Sequence, residues 1–156
     1  MKNKKQLLEI LKEPDPHLRV KNVDIELGWF GAPWLVSLTQ NMIHTMRAVK
    51  GVGIAAPQVG INYNMAVAVV GKIPTVMINP VILSKAEETI AIKEGCLSCP
   101  GRDVRILRPA WIQVKYNSIN GKEFTRLFGQ IDAIIVSHEL DHLDGKLITD
   151  YVDAPE

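Results

Sequence analysis

The sequence has only two cysteines among its 156 residues, no apolar run long enough to span a membrane, and almost no net charge. Its 18 basic and 17 acidic side chains leave a charge of +1, which gives no reason to expect nucleic acid or a membrane as a partner. The start, MKNKKQLLEI, lacks the long apolar core and the cleavage site of a signal peptide. We therefore expect a cytoplasmic protein whose cysteines serve metal binding or catalysis rather than a disulfide.

The length and a hydrophobic content of 47% suit a single domain over residues 1–156. Helical spacing of apolar residues predicts one helix within 33–51 and a second over 130–143. Short β-branched and aromatic runs predict strands: 63–70, 75–83, 88–95, 111–117 and 122–128. The second helix is apolar on both sides, which indicates that it is buried in the middle of the fold. The predicted class is α+β, with small mixed β-sheets around this central helix.

The segment HELDH (138–142) on that helix is an H-E-x-x-H pattern. Four residues advance a helix by about 6 Å and return to nearly the same face, so His138 and His142 can bind one metal ion. Glu139 lies about 100° round the helix, where a carboxylate can take a proton from a water on the metal. The alternative is a pair of core histidines that bond to backbone carbonyls. The buried helix and a nearby cysteine-bearing loop favour the metal site.

The two cysteines lie in EGCLSCPG, as Cys96 and Cys99. If both bind metal with the two histidines, the site is filled and structural; if one binds, a position stays open for water and the site is catalytic. The 38 residues between Cys99 and the first histidine are too many for a zinc finger. A redox pair is a third reading, although such pairs usually open a helix. A glutamate beside the ligands favours the catalytic site.

The segment GVGIAAPQVG (51–60) supplies backbone that can approach a ligand closely, at Gly51 and Gly53. Gln58 offers an amide donor that can point at a developing oxyanion. A helix stop followed by an ordinary loop explains the same residues equally well.

Taken together and in this order, GVGIAAPQ, EGCLS and HELDHLDG resemble the three motifs of the peptide deformylases. The resemblance runs from PDPHLR to the end of the last helix. It implies a metal hydrolase that removes the formyl group from the N-terminal formylmethionine of nascent polypeptides. It implies these roles: metal ligands Cys96, His138 and His142; general base and acid Glu139; oxyanion donors Gln58 and the backbone N–H of Leu97.

The resemblance also implies how the substrate and the metal are bound. Backbone groups of Gly53 and Gly95 hold the peptide in an extended pose. The methionine pocket is lined by Val52, Ile131, Ile134 and Ile135. The metal is one divalent ion per chain, usually ferrous iron, although zinc, nickel or cobalt can occupy the site. The partners are formylmethionyl nascent peptides, with a transient ribosome contact left open and a monomer expected.

Ser137 and Cys99 depart from the family pattern, because glutamine is frequent at the first position and an aliphatic residue is common at the second. Asp141 either pairs with an arginine such as Arg102 or Arg105, or is hydrated. Two other classes fit the metal pattern: a zinc peptidase that cuts internal peptide bonds, and a metal-stabilised binding domain without enzymatic activity.

Overall fold

A computed structural model describes residues 4–156 of the chain, and it contains two α-helices and seven strands over that range. The helices are α1 (Pro33–Ala48) and α2 (Ile131–Leu143). The strands are β1 (Gly53–Ala55), β2 (Met65–Val70), β3 (Ile73–Lys85), β4 (Thr89–Gly95), β5 (Asp103–Pro109), β6 (Trp111–Asn117) and β7 (Glu123–Gly129).

The strands form one five-stranded sheet, in the order β1-β2-β3-β6-β7, and one two-stranded sheet of β4 and β5. The predicted α+β class is confirmed. All pairings between these strands are antiparallel. One isolated bridge, between Val23 and Tyr63, is parallel. The Asn120–Gly121 turn closes the β6–β7 hairpin, with Gly121 at a φ of 85° that suits glycine.

Helix α2 lies between the two sheets, as its pattern predicted. Ala133, Val136 and Leu140 pack into a core with residues of β2, β3, β6 and β7. The opposite side of the helix faces the β4–β5 hairpin and carries buried polar groups, Glu139 and His142. Burial on both sides therefore comes from apolar packing on one side and a polar cluster on the other.

Helix α1 packs on the far part of the sheet, where Leu35, Met42 and Met46 join a second core. The helix ends at Ala48, and Lys50 then adopts a left-handed backbone with a φ of 55°. The N–H of Gly51 bonds the carbonyl of Met46, and this turn directs the chain into β1. The glycine-containing segment is thereby brought alongside α2. Across residues 4–156, we find no helix with the length and hydropathy needed to cross a membrane.

Candidate active site

Three donor atoms from two distant parts of the sequence converge beside α2: Cys96 Sγ, His138 Nε2 and His142 Nε2. The sulfur lies 3.5 Å from His142 Nε2, and the two imidazole nitrogens are 3.3 Å apart. All three donors lie within 4.8 Å of one another, and we call them the donor cluster. Tetrahedral ligands with metal–nitrogen bonds of about 2.0 Å and metal–sulfur bonds of about 2.3 Å are separated by roughly 3.3–3.6 Å. The donor set and its spacing thus fit a single transition-metal ion.

The elements explain why these atoms meet. The four-residue spacing places both imidazoles on the side of α2 that faces the β4–β5 hairpin. Strand β4 ends at Gly95, so Cys96 follows directly at the tip of the strand. Register with β5, from Thr89 opposite Pro109 to Gly95 opposite Asp103, holds that tip in place.

Cys99 lies outside the donor cluster. It is buried among Leu18, Val104 and Ile106, and its sulfur is 3.8 Å from Glu13 Oε2. Burial, together with the neighbouring Cys96 and Glu13, raises the pKa of the Cys99 thiol to about 12. The thiol is therefore held protonated, which suits packing rather than metal ligation or redox exchange.

A buried ion network orients His138. Its Nδ1 lies 2.9 Å from Glu94 Oε1, and this contact fixes the ring so that Nε2 faces the other two donors of the cluster. Arg108 grips the same carboxylate through Nε at 2.6 Å and Nη2 at 2.9 Å, while its Nη1 donates to Asp141 at 2.9 Å. The hydroxyl of Tyr151 donates to the same Asp141 oxygen at 2.6 Å. The hydrogen bonds from His138 and Arg108 lower the pKa of Glu94, although burial alone would raise it.

The partner of Asp141 differs from both arginines named from the sequence. Arg102 and Arg105 were the candidates, whereas the structure pairs Asp141 with Arg108. The signal was present in DVRILRP, where Val104, Ile106 and Arg108 alternate on one face of a strand. An arginine in the buried phase of a strand needs a buried carboxylate partner. Strand β5 had not been predicted, and Glu94 and Arg108 were missed with it.

The protonation of the two histidines reflects this crowding. Burial would lower the pKa of His138, but hydrogen bonds to Cys96 and Glu94 and the nearby charge of Glu139 raise it to about 10. Burial and the positive charge of His138 lower the pKa of His142 to about 3. His138 therefore holds an additional proton, and a divalent cation can replace it because metal ligands bind in their deprotonated forms.

Glu139 lies next to the donor cluster and is 4% exposed. Burial raises the pKa of its carboxyl group to about 7, against the opposing effects of His138 and Arg108. Among the residues that the structure describes, Oε2 of Glu139 is buried without a hydrogen-bond partner. A buried carboxylate with a vacant acceptor beside a metal-type donor set is suited to proton transfer.

A cavity of about 410 Å³ opens in front of the donor cluster. Ten of the twelve residues selected from the sequence line it: Val52, Gly53, Gln58, Gly95, Cys96, Leu97, Ile134, Ile135, His138 and Glu139. His142 lies behind it, buried to 2% exposure. Ile131 does not line it, because the first turn of α2 lies beyond the cavity and leaves Ile131 51% exposed. Ile131 is thus not part of the lining of this cavity, although the resemblance assigns it to the methionine pocket.

Gln58 is held rigidly at the rear of the cavity. Its Oε1 accepts a bond from the N–H of Ala55 at 2.9 Å, which fixes the amide so that Nε2 faces inward. Nε2 donates to Ser98 Oγ at 3.1 Å and lies 3.9 Å from Cys96 Sγ. Gln58 therefore lies on the same side of the cavity as the sulfur, and Leu97, which follows Cys96 in the sequence, also lines the cavity.

Gly53 is required by the position of Glu139. A Cβ atom at residue 53 would lie 2.6 Å from Cδ of Glu139 and would overlap its carboxylate. We expect Gly53→Ala to displace that carboxylate and to lower the rate constant of any proton transfer through it by about tenfold or more, because a misplaced base transfers protons poorly. Gly28→Ala is the matched control, since no atom lies within 4 Å of a Cβ there. Steady-state kinetics with metal analysis of both variants tests this; a normal kcat for Gly53→Ala would contradict the close approach.

Comparisons with known proteins agree with this geometry. The family model of polypeptide deformylase matches residues 7–156. A peptide deformylase of Stenotrophomonas maltophilia strain K279a is 41% identical over 149 residues, which cover 94% of this chain and 87% of that protein. The crystal structure of peptide deformylase from Thermotoga maritima superposes with a TM-score of 0.91 at 37% identity, covering 96% of this chain and 99% of that one.

A further solved relative is the class I type b peptide deformylase from Acinetobacter baumannii with Met-Ala-Ser bound. Its TM-score is 0.92 at 30% identity, over 96% of this chain and 100% of that one. The chain therefore belongs to the polypeptide deformylase family, whose members are metal-dependent enzymes that remove the N-formyl group from nascent peptides.

Proposed function

We propose that this protein, as a single catalytic domain, releases formate from the N-terminal formylmethionine of nascent polypeptides. The observation that carries the proposal is the convergence of one sulfur and two imidazole nitrogens beside a buried, unpartnered glutamate at the rear of an apolar cavity. Cys96, His138 and His142 would hold one divalent ion, and three protein ligands leave a position open for water or substrate.

The ligand chemistry limits which metal this set would hold. A thiolate with two imidazoles suits iron, zinc, cobalt or nickel, and disfavours magnesium and calcium, which take oxygen ligands. Within that group we propose ferrous iron, on the resemblance to the family. When bound, the ion would supply Lewis acidity, which would polarise the formyl oxygen and lower the pKa of a water towards about 7.

Glu139 performs the proton transfers. Its vacant Oε2 accepts the proton of the attacking water, and burial keeps the carboxyl pKa high enough for the group to hold that proton. The same carboxyl group then donates the proton to the departing amine, so that formate and a free N-terminus are released. General acid–base catalysis of this kind contributes typically 10²–10⁴-fold.

Gln58 and Leu97 stabilise the negative charge that develops on the formyl oxygen. The Nε2 donor of Gln58 is oriented by its partner Oε1, so little reorganisation is needed during the reaction. The backbone N–H of Leu97 supplies the second donor. Each such donor contributes roughly 3 kcal/mol in a site of this type. Ser98 Oγ, the present acceptor of Nε2, would share that donor with the substrate.

The peptide lies extended between β1 and β4. Among the strands that the structure describes, β4 pairs with β5 alone, so its other edge can hydrogen-bond a peptide near Gly95. Gly53 lets the peptide approach the opposite wall. The methionine side chain packs against Val52, Ile134 and Ile135. The relative that binds Met-Ala-Ser, a peptide of the deformylated type, supports this occupant.

One further expectation tests the methionine pocket. Ile135→Glu is expected to raise the KM for formyl-Met-Ala-Ser by about tenfold or more, because an unpaired carboxylate would be placed against an apolar side chain. Ile131→Glu is the matched control on the same helix, since Ile131 lies outside the cavity. Initial-rate kinetics of the two variants give the answer. Equal effects of the two substitutions would place the pocket elsewhere.

We also propose that the enzyme acts as a monomer in the cytoplasm, without direct nucleic-acid or membrane binding and with at most a transient ribosome contact. All three donors and the base come from one chain, so a second copy is not needed to complete the site. The near-neutral net charge of the chain favours neither a nucleic acid nor an anionic membrane as a partner.

The decisive experiment is anaerobic purification with metal analysis, followed by a formate-release assay on formyl-Met-Ala-Ser. Formate release that depends on bound metal is the expected result. A zinc peptidase, the alternative function, would instead cleave an internal bond of an unformylated peptide. Cleavage of that kind without formate release would overturn the proposal.

A further inference from the structure

Both exposed charged residues in the lining of the cavity are lysines. Four of the lining residues other than histidine and cysteine carry charges: Lys50, Lys93, Glu94 and Glu139. Both glutamates are buried, and Glu94 is held by Arg108, whereas both lysines are exposed. Within the described lining, the charges available to a ligand at the mouth are therefore the two ammonium groups.

Neither lysine is neutralised by a carboxylate. Over residues 4–156, the salt bridges involve other cations and leave out Lys50 and Lys93. Arg105 stands opposite Lys93 in the β4–β5 ladder, and its backbone N–H donates to the carboxylate of Asp153 at 2.7 Å, so a positive and a negative charge lie together there. Asp103 faces Gly95 in the same ladder, and its Oδ1 would lie 3.2 Å from a Cβ atom at residue 95, so this carboxylate is close to the cavity although Asp103 does not line it.

The positions of the lysines match the path of a peptide. Lys50 precedes Val52 by two residues at one wall, and Lys93 precedes Gly95 by two residues on β4. On strand β4 two residues span about 6.6 Å, a distance that the side chain of Lys93 can reach across, whereas Lys50 lies in the turn between α1 and β1. When the methionine occupies the apolar end, the next residues of an extended peptide lie towards these ammonium groups.

We propose that Lys50 and Lys93 give this enzyme a preference for formyl peptides with an acidic side chain at the second or third residue. The inference rests on the proposed function and concerns the substrate class of that same site. Rim charges act mainly on encounter and ground-state binding, so the preference lies in KM and kcat/KM rather than in kcat. Exposed ion pairs are weak, so we expect an advantage of about threefold to tenfold from the two lysines together.

The test compares peptides that end in an amide, so that only the side chain carries the carboxylate. The substrates are formyl-Met-Ala-Asp-amide, formyl-Met-Ala-Ser-amide and formyl-Met-Ala-Lys-amide, with formyl-Met-Asp-Ala-amide for the second position. Free-acid formyl-Met-Ala-Ser shows separately whether a terminal carboxylate has the same effect. We expect kcat/KM to fall in the order Asp, Ser, Lys. The spread should shrink between about 0.01 M and about 1 M salt, where the Debye length falls from 30 Å to 3 Å.

Variants assign the preference to the two residues. Lys50→Gln and Lys93→Gln should each reduce the ratio of kcat/KM between the aspartate and lysine peptides, and Lys93→Glu should move it below one. Lys72→Gln is the matched control, because Lys72 has a positive φ of 69°, like Lys50 at 55°, and lies outside the cavity. Its ratio should equal that of the unmodified enzyme.

The outcomes separate this inference from the function on which it rests. Formate release at equal kcat/KM from all amidated peptides, at low salt, would overturn the acidic preference and leave the deformylase function intact. A preference seen only with the free-acid peptide would also overturn it, since the side chain would then be irrelevant. Absence of formate from every formylated peptide would overturn both. The salt dependence of the unmodified enzyme decides the matter even if a lysine variant fails to fold.

Discussion

Replacement of Cys96 by serine is expected to abolish both metal binding and formate release, whereas Cys99→Ser is expected to retain both. Cys96 Sγ lies 3.5 Å from His142 Nε2 within the donor cluster, and a serine hydroxyl is a much weaker ligand for iron or zinc than a thiolate. With only two imidazoles left, the bound ion should be lost on dialysis. Cys99 is buried near Glu13, and its sulfur is not one of the three atoms of the donor cluster.

The two variants form a matched pair, because both cysteines lie in one short loop and each substitution exchanges only a sulfur atom for an oxygen atom. Metal content per chain, measured after anaerobic purification, is the first readout. The second is the sulfur-to-cobalt charge-transfer absorption of the cobalt-substituted protein, which should persist in Cys99→Ser and vanish in Cys96→Ser. Cys99→Ser should cost some stability through altered core packing, which thermal unfolding would reveal separately. Equal loss of metal in both variants would restore a structural site with two sulfurs.

The parts of the site that depend on local periodicity could be predicted from the sequence. The spacing of His138 and His142 determines that both imidazoles share one side of a helix, and the apolar residues around them place that helix in the interior. Cys96 was harder, because its contact with the histidines spans 46 residues and depends on how the β4–β5 hairpin packs on α2. The spacing of the two cysteines fits a structural metal site, a catalytic site with one sulfur ligand or a redox pair. The resemblance to the family implies the catalytic site.

The parts that depend on long-range pairing could not be predicted. Glu94 reads as an ordinary solvent-facing strand residue until β5 brings Arg108 against it and α2 brings His138. Strand β5 was not predicted because a charged residue, Arg108, occupies a position where its alternating pattern would place an apolar one. Ile131, which the resemblance assigns to the methionine pocket, lies outside the cavity, since a motif match does not say where along the helix axis the cavity ends.

Replacement of Glu139 by alanine is expected to leave the metal bound and to reduce the kcat for formyl-Met-Ala-Ser by about 10²–10⁴-fold, or roughly 2.7–5.5 kcal/mol of transition-state free energy. The carboxylate has no role as a ligand in the donor cluster, so metal content should equal that of the unmodified enzyme. Asp132→Ala is the control on the same helix, since this acidic residue of the first turn does not line the cavity.

Stability gives this prediction a second, independent readout. The folded-state pKa of Glu139 is raised to about 7 from an ordinary 4.5, so the folded metal-free protein binds this proton more tightly than the unfolded chain does. The free energy of unfolding therefore falls as the pH rises from 4.5 through 7, because the buried carboxylate must ionise there. Metal-free Glu139→Gln lacks this penalty and should be at least as stable as the metal-free parent at pH 8, with the two proteins converging below pH 5. A variant that is catalytically dead yet no less stable at pH 8 identifies a residue kept for proton transfer at a cost in stability.

A near-normal kcat for Glu139→Ala would instead remove Glu139 as the base, and the proton would have to leave by another group of the cavity.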